Sequence, residues 1–437
     1  MPPPAANPPT ETATAAPSAF SVGDQLELDT GAIASGGGCV GRAPDGRVVF
    51  VRHALPGERV RAVVTAVTTN FLRADAEEVL TASAARVTPP CPHAGPGRCG
   101  GCDWQHIDLA HQRELKSRLI AEQLLRVARV EHPVVVEALP GGADGLGWRS
   151  RVRFAVDSSG AVGLRRHRSH DVEVLTRCPV ATPELEALGI EAARWRGAAE
   201  VEGFAAGDGN GATVLVVPGR EGVRVGDLPA DLGGAGLVVE DRVLREPRAG
   251  HPEVLGRRFR VSAGAFWQVH TAAPAVLAQA VIDALEPRRG ESVVDLYAGV
   301  GLFSLLLADA VGPEGRVVAV ERSRAAAGDA RRNAAGVAQV EVWARPVDAA
   351  LAGALAGSDL VVLDPPREGA GKALTAALVA LDPPPRRIAY LSCDAASFAR
   401  DLRVALDAGW AMTSLRAFDV FPMTEHVELL AVLEPAV

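Results

Sequence analysis

The chain has 437 residues, 48% of them hydrophobic, and a formal net charge of -8. That length exceeds what one compact core holds, so two or three domains are expected, and the acidic balance argues against a general nucleic-acid coat protein while saying little about any single face. Apolar runs such as 302–310 are too short to cross a bilayer and the first twenty residues have neither a basic start nor a signal-type apolar stretch, which predicts a cytoplasmic protein with no membrane partner.

Residues 1–20, rich in Pro, Ala and Thr, read as a disordered tail. From 21 to 82 the pattern is of short alternating strands, among them Gln25-Leu26-Glu27-Leu28, Val48-Val49-Phe50-Val51 and the run from Arg59 to Val64, separated by Pro44-Asp45-Gly46 and Leu55-Pro56-Gly57-Glu58. Turn signals at that spacing predict a small five-stranded barrel of the oligonucleotide-binding type.

Residues 83–255 form a central section with a cysteine cluster, a helical stretch near Asp108 to Val130, and strands around Arg151 to Val156 and Val214 to Val217. Arg149, Arg151, Arg153, Arg165, Arg166, Arg168 and Arg177 outweigh Asp157, Asp171 and Glu173 there. They read either as a phosphate-binding strip or as a solvated strand face.

From 256 to 437 strands and helices alternate, with apolar strands at 292–296, 317–320, 360–363 and 387–391. Near-continuous apolar strands of this kind belong to a parallel sheet covered on both faces, so the chain is expected to be a multidomain α/β protein ending in a Rossmann-like catalytic domain.

The chemistry concentrates in that last domain. Ala298-Gly299-Val300-Gly301 follows an apolar strand that carries Asp295 and opens a helix near Leu302. Gly299 and Gly301 let a ligand approach the backbone, and Glu321, about twenty residues on, stands where doubly wound folds place the acid that holds a ribose. A single Gly-x-Gly favours S-adenosylmethionine over a dinucleotide. Cys393, in Ser392-Cys393-Asp394 after an apolar strand, is the expected nucleophile: a thiolate adding at C6 of a uracil enriches C5 enough to accept a methyl group. The C5 proton must then leave, and Glu428 is the expected base, with His426 as the competing one. Asp364-Pro365-Pro366 is similar to the block with which amino-group methyltransferases grip a planar nitrogen, but Arg367 stands where that block has an aromatic residue.

Cys91, Cys99 and Cys102, followed far downstream by Cys178-Pro179, form a four-thiol set suited to a 4Fe-4S cluster or to zinc; the proline after the last cysteine favours iron. Disulfides are not expected in the cytosol. Cys39 is left over as a small buried residue.

Cys99-Gly100-Gly101-Cys102-Asp103-Trp104-Gln105, together with Phe266-Trp267-Gln268-Val269-His270, Asp295 to Gly301, Asp364 to Arg367, Leu391 to Asp394 and Phe421 to Glu428, resembles the bacterial RNA uracil-C5 methyltransferases that carry an N-terminal TRAM domain and an iron-sulfur motif. The resemblance covers nearly everything after residue 20. It implies that Cys393 is the nucleophile and Glu428 the base, that Gln268, Tyr297, Glu321 and Asp364 contact S-adenosylmethionine, and that Cys91, Cys99, Cys102 and Cys178 hold the cluster. It also implies a structured RNA substrate, 23S rRNA ahead of tRNA, with no DNA partner and a monomer favoured. His270 stands where the family has Asn, and Leu302 where ribosomal-RNA members often have Asn. The other readings are an amino-group methyltransferase using the Asp-Pro-Pro block and a non-catalytic RNA-binding iron-sulfur protein.

Overall fold

The structure is a computed structural model that describes residues 20–142, 144–205, 211–246 and 251–436. All but the last residue of the expected N-terminal tail lies outside the described residues. The described residues fall into two compact units, one made of residues 20–34 and 38–84, the other of residues 35–37 and those from 85 onward.

In the first unit, β1 (Gln25–Asp29), β2 (Cys39–Arg42), β3 (Val48–Arg52), β4 (Arg59–Val67) and β5 (Phe71–Thr81) form one sheet in the order β1-β4-β5-β3-β2. Alternate residues point inward, so Leu26, Leu28, Val49, Val51, Val60, Ala62 and Val64 make the core. Beyond β1 the chain bends onto β2, where the Gly31 N–H donates to Val40 O at 2.7 Å and the Val40 N–H to Ala32 O at 2.9 Å. These bonds join the two edges, which makes the sheet a barrel. Buried Glu58 ties its turn together by accepting the Leu55 N–H at 2.8 Å and the Ser83 N–H at 3.0 Å. Cys39 is fully buried, as its sequence context suggested.

The second unit begins its regular structure with α1 (Leu109–Gln123), capped by Asp108, whose carboxylate accepts the Ala110 and His111 N–H groups at 3.0 and 3.1 Å. A π-helical turn, Leu124–Ala128, closes it at Arg129, which takes a left-handed φ of 59°. The short strand β6 (Val136–Ala138) follows. Next come β7 (Arg151–Val156), β8 (Val162–Arg165), β9 (Val172–Val174), the helical turn α2 (Pro183–Glu186), β10 (Ala198–Ala205), β11 (Ala212–Pro218), β12 (Gly236–Val239) and β13 (Arg242–Arg245). Their sheet runs β13-β12-β11-β10-β7-β8-β9 over a core built around Trp148, Phe154 and Trp195.

The arginine strip is largely neutralised by this sheet. Arg153 donates twice to Glu202, Arg166 pairs with Glu173, Arg165 with Glu200 and Arg177 with Glu186. Arg151 turns inward over the Phe204 ring, 4.5 Å from its centroid. Of the two readings of these arginines, the ion-paired strand face is the one seen: cross-strand acids that lie elsewhere in the sequence, Glu200 and Glu202 above all, meet them on the same face.

A hairpin of β14 (Glu253–Val254) and β15 (Arg257–Arg258) leads into α3 (Ala273–Leu285), β16 (Ser292–Leu296), α4 (Leu302–Val311), β17 (Arg316–Glu321), α5 (Arg324–Asn333) and β18 (Val340–Ala344). The chain continues through the turn α6 (Ala352–Leu355), β19 (Leu360–Leu363), α7 (Lys372–Val379), β20 (Arg387–Ser392), α8 (Ala395–Asp407), β21 (Trp410–Asp419) and β22 (Glu428–Pro435). The sheet order is β18-β17-β16-β19-β20-β22-β21-β6, parallel from β18 to β20 and antiparallel at β22. Side chains alternate between the two faces: Val293, Leu360 and Val362 enter one core, Val294, Val361 and Leu363 the other.

The expected boundary at residue 255 does not coincide with a break in packing. β6, from the central section, pairs in parallel with β21, and Leu139 and Phe204 share a core with Phe259, Leu277 and Leu305. Strand pairing between distant segments, invisible in local pattern, joins the two sections into one body.

Candidate active site

In a doubly wound sheet the strand order reverses at the first strand, which opens a crevice at the carboxyl ends of the strands flanking it. Here β17 and β19 flank β16, and the predicted donor-binding residues gather at that end. Tyr297, Gly299 and Gly301 all take left-handed φ values, 65°, 56° and 92°. Such a path is easy for glycine and strained for tyrosine, so the loop after β16 lies open rather than coiling at once into α4. Glu321, ending β17, is fixed by the Gly299 N–H at 2.9 Å and the Ser323 N–H at 2.6 Å. Its remaining lone pairs are available to a ribose. Gly301 caps α4, and Leu302 is buried as that helix's first residue.

Asp295 lies beneath the loop, fully buried. It accepts the Ser304 hydroxyl through one oxygen, while Oδ1 has no hydrogen-bond partner among the described residues. Burial pushes its pKa up to about 7. Its part is to support the loop from below.

Asp364 follows β19 and accepts the Gln268 amide at 3.4 Å, which brings the Gln-Val-His segment to the same crevice. The strand register continues the assembly: Ser392 of β20 pairs with Leu429 of β22, so Cys393 and Glu428 meet one step further along. Burial raises both carboxyls, Asp364 and Glu428, and each carboxylate opposes ionisation of the other. Burial, then Glu428 and Asp364, push the Cys393 thiol up to about 12, against the pull of the Arg367 guanidinium. Glu428 Oε1 has no hydrogen-bond partner among the described residues. A thiol, a pair of carboxyls and a cation thus occupy one end of the sheet.

The segment between β21 and β22 is held from α1, and the sequence reading missed this. Lys116, with a fully buried side chain, donates to Asp419 Oδ1 at 2.6 Å and to Phe421 O at 3.0 Å. Gln112 accepts the Met423 N–H at 2.9 Å and donates to Trp104 O and Ile107 O, each at 3.0 Å. One signal existed: lysine occurs only at Lys116 and Lys372 in an arginine-rich chain. His426 Nε2 faces Arg367 Nη2 at 3.1 Å, and burial, then Arg367, lower the imidazole to about 4. The ring is neutral and accepts from the guanidinium through Nε2, leaving its proton on Nδ1. His270 is likewise neutral: burial lowers it to about 4, and its Nδ1 accepts the Ala272 N–H at 3.1 Å at the start of α3.

The four clustered cysteines line a different cavity, of about 310 Å³, to which Arg149, Phe421, Thr424 and His426 also contribute. All four thiols are free of disulfides. Gly100 is needed between them, since a Cβ there would lie 2.8 Å from Arg165 O, and the Gly101 backbone N–H donates to Cys99 Sγ at 3.4 Å. Glu173 braces the surrounding loops by accepting from His93, Arg98 and Arg166. Among the described residues no group of three or more His, Cys, Asp or Glu side chains is arranged to hold a single metal ion.

The strand order and the ligand-ready loop after β16 define an S-adenosylmethionine-dependent methyltransferase of the Rossmann-like class. Residues 20–76 match the TRAM domain. A Streptomyces avermitilis protein, described as an uncharacterized RNA methyltransferase, is 44% identical over 95% of this chain and 99% of its own. The 23S rRNA (uracil(1939)-C(5))-methyltransferase RlmD of Halomonas elongata is 36% identical over 93% of this chain and 89% of its own. The solved Pyrococcus abyssi tRNA (uracil-54, C5)-methyltransferase, in complex with S-adenosyl-L-homocysteine, shares the fold with a TM-score of 0.68 at 22% identity, covering 93% of this chain and 99% of that one. The chain belongs to the RNA uracil-C5 methyltransferase family. Among the described residues no helix is long and apolar enough to cross a membrane.

Proposed function

We propose that this protein methylates C5 of one uridine in 23S rRNA, in preference to tRNA, through a covalent adduct between Cys393 and C6. The observation that carries the reading is the meeting of Cys393 with two carboxyls, half-buried Asp364 and buried Glu428, beside the donor crevice. When bound in that crevice, S-adenosylmethionine would supply the methyl group and a positive sulfonium charge. A cation there favours the thiolate of Cys393 over the thiol. The sulfur adds to C6, the ring's electron pair shifts toward C5, and C5 would take the methyl group as the bond from that methyl to the donor's sulfonium breaks and S-adenosylhomocysteine leaves. Glu428 then removes the C5 proton, the C5=C6 bond re-forms and the sulfur leaves. Gln268, Tyr297, Gly299, Gly301, Glu321 and Asp364 are the residues proposed to hold the donor. The 23S preference follows the 36% identical relative, because the tRNA enzyme at 22% speaks to fold alone.

The target base must be splayed out of its stack to reach a thiol at the foot of a cavity. Phe266, 63% exposed beside the donor-side Gln268, offers a face on which an RNA base can stack. For the cysteine cavity a 4Fe-4S cluster fits better than zinc. Zinc draws its sulfurs to within about 2.3 Å of one centre, whereas a polynuclear cluster is met by a wider ring of thiolates such as Cys91, Cys99, Cys102 and Cys178 around one cavity. If these residues hold a cluster, it orders the loops that carry them.

The test is incubation with RNA containing 5-fluorouridine and the donor, because that base cannot release its C5 substituent. A stable protein–RNA adduct is expected, absent in Cys393→Ala. A Cys393→Ala protein that still methylates RNA overturns the mechanism in favour of amino-group transfer at the Asp-Pro-Pro block.

A further inference from the structure

A second cavity, of about 280 Å³, opens on Cys393, with Leu119, Ile120, Arg367, Glu425 and His426 in its lining. Two acids reach it. Asp394 is engaged as the cap of α8, accepting the Ser397 N–H at 2.7 Å. Glu425 has no such duty in any helix or strand, yet the protein builds a support for it. Gly36 and Gly37 both take left-handed φ values, 97° and 74°, and Gly36 lines the same cavity as Glu425. A Cβ at residue 37 would lie 3.3 Å from Glu425 Oε2 and 3.1 Å from Trp104 Nε1, and the Trp104 indole N–H already donates to Gly37 O at 3.0 Å. The carboxylate is backed by main chain and has acceptor capacity left on the cavity side.

The chemistry of a pyrimidine says what such a group reads. Uracil presents an N3–H donor between two carbonyl acceptors; cytosine presents a bare N3 acceptor beside an amino donor. N3 lies across the ring from C6, so with the sulfur on C6 the group that meets N3 stands on a separate part of the wall. We propose that Glu425 accepts the N3–H of the target uracil and thereby excludes cytidine, while Arg367 donates to a neighbouring carbonyl oxygen. The Arg367 guanidinium gives one donor to His426 Nε2 and keeps four others. Burial pushes the Glu425 carboxyl up to about 7, so the ionised form that the lone pair of a cytosine N3 repels prevails above neutral pH, and discrimination built on a missing hydrogen bond is strong because both partners lose their solvation. The sequence around Glu425 gave only the catalytic Glu428; nothing in it separated the second glutamate from a surface residue.

This inference rests on the uracil-C5 reading, and the experiment separates the two. Wild-type, Glu425→Gln and Glu425→Ala proteins are incubated with the donor and RNA that carries either 5-fluorouridine or 5-fluorocytidine at the target, and adducts are counted on denaturing gels. Binding of labelled S-adenosylmethionine serves as the folding control. Wild type forms an adduct with fluorouridine alone; if it forms none, the uracil reading itself fails. Glu425→Gln, whose amide can present either an oxygen or an N–H, keeps the fluorouridine adduct and gains one with fluorocytidine. Glu425→Ala binds the donor normally and traps fluorouridine about tenfold or more slowly. A Glu425→Gln protein with no fluorocytidine adduct, or a Glu425→Ala protein that traps fluorouridine at the wild-type rate, overturns the assignment.

Discussion

Cys393 and Glu428 are separated by thirty-five positions in the chain yet stand opposite one another, because the Ser392–Leu429 register pairs the end of β20 with the start of β22. An antiparallel strand inserted beside a parallel one brings its first residue to the end where the others finish. The fold therefore delivers a carboxyl to the thiol without a long loop. Glu428→Gln should leave adduct formation intact and block its resolution, so that covalent RNA carrying the methyl group accumulates and turnover falls by about 10²–10⁴-fold. Doubly labelled RNA and donor, followed on denaturing gels, read both quantities; parental turnover in this variant rules out the role.

Reactivity of Cys393 should climb with pH. Burial and the two nearby acids push the thiol up to about 12, so the thiolate fraction grows about tenfold with each unit of pH through the neutral range. Alkylation of the free protein by iodoacetamide should follow that slope. Replacing Arg367 by Met removes the cation that opposes the shift and should slow alkylation at every pH. A plateau near neutrality, or faster labelling in Arg367→Met, contradicts the electrostatic account.

Lys116 is the pin of the segment that carries Phe421 to Val427. Lys116→Met leaves buried Asp419 with only the more distant Arg113 guanidinium, 3.9 Å from Oδ2, and a buried pair broken by removal of its closer partner costs up to about 3–5 kcal/mol. The melting temperature should fall accordingly. Replacing both Lys116 by Met and Asp419 by Leu should recover much of the stability while methylation stays low, because the bond to Phe421 O is still missing. Recovery of activity along with stability would show that the pin matters only for folding.

Asp295 makes stability depend on pH in a stated direction. Its folded pKa, about 7, lies above its ordinary 3.8, so the stability it contributes is complete below pH 3.8 and is lost as the pH rises through about 7. Asp295→Asn should match the parent in mild acid and exceed it at pH 8. Thermal melts of the donor-free proteins across pH 5 to 8 supply the comparison; equal melts at pH 8 refute the burial of an ionisable acid there.

Much of the catalytic half was legible in order and type. The apolar runs at 292–296 and 360–363 became parallel strands, and Gly299 and Gly301, in the turn after the first of them, took left-handed backbone angles. Periodicity and turn chemistry are local, and local rules suffice for them. The support of the site was not legible, because it depends on pairing at long range. Lys116 meets Asp419 across 303 positions, β6 joins β21 across a similar gap, and Glu202 meets Arg151 and Arg153 only through strand register. Nothing in a window of sequence distinguishes a lysine that pins a loop from one that faces water, although its rarity in this chain was a clue. The arginine strip shows the converse: clustering in sequence suggested a free cationic face, and the acids that quench it arrive from another strand.

The insertion of Val136–Ala138 at the edge of the methyl-transfer sheet has a practical consequence. A fragment cut at residue 256 would expose the flank of β21, strip away α1 and leave the segment between β21 and β22 without its Lys116 tether. The catalytic half is thus no portable cassette. Its edge strand β21 is completed by chain synthesised long before Cys393, so chimeras that exchange RNA specificity must be spliced upstream of Trp104 rather than at residue 256.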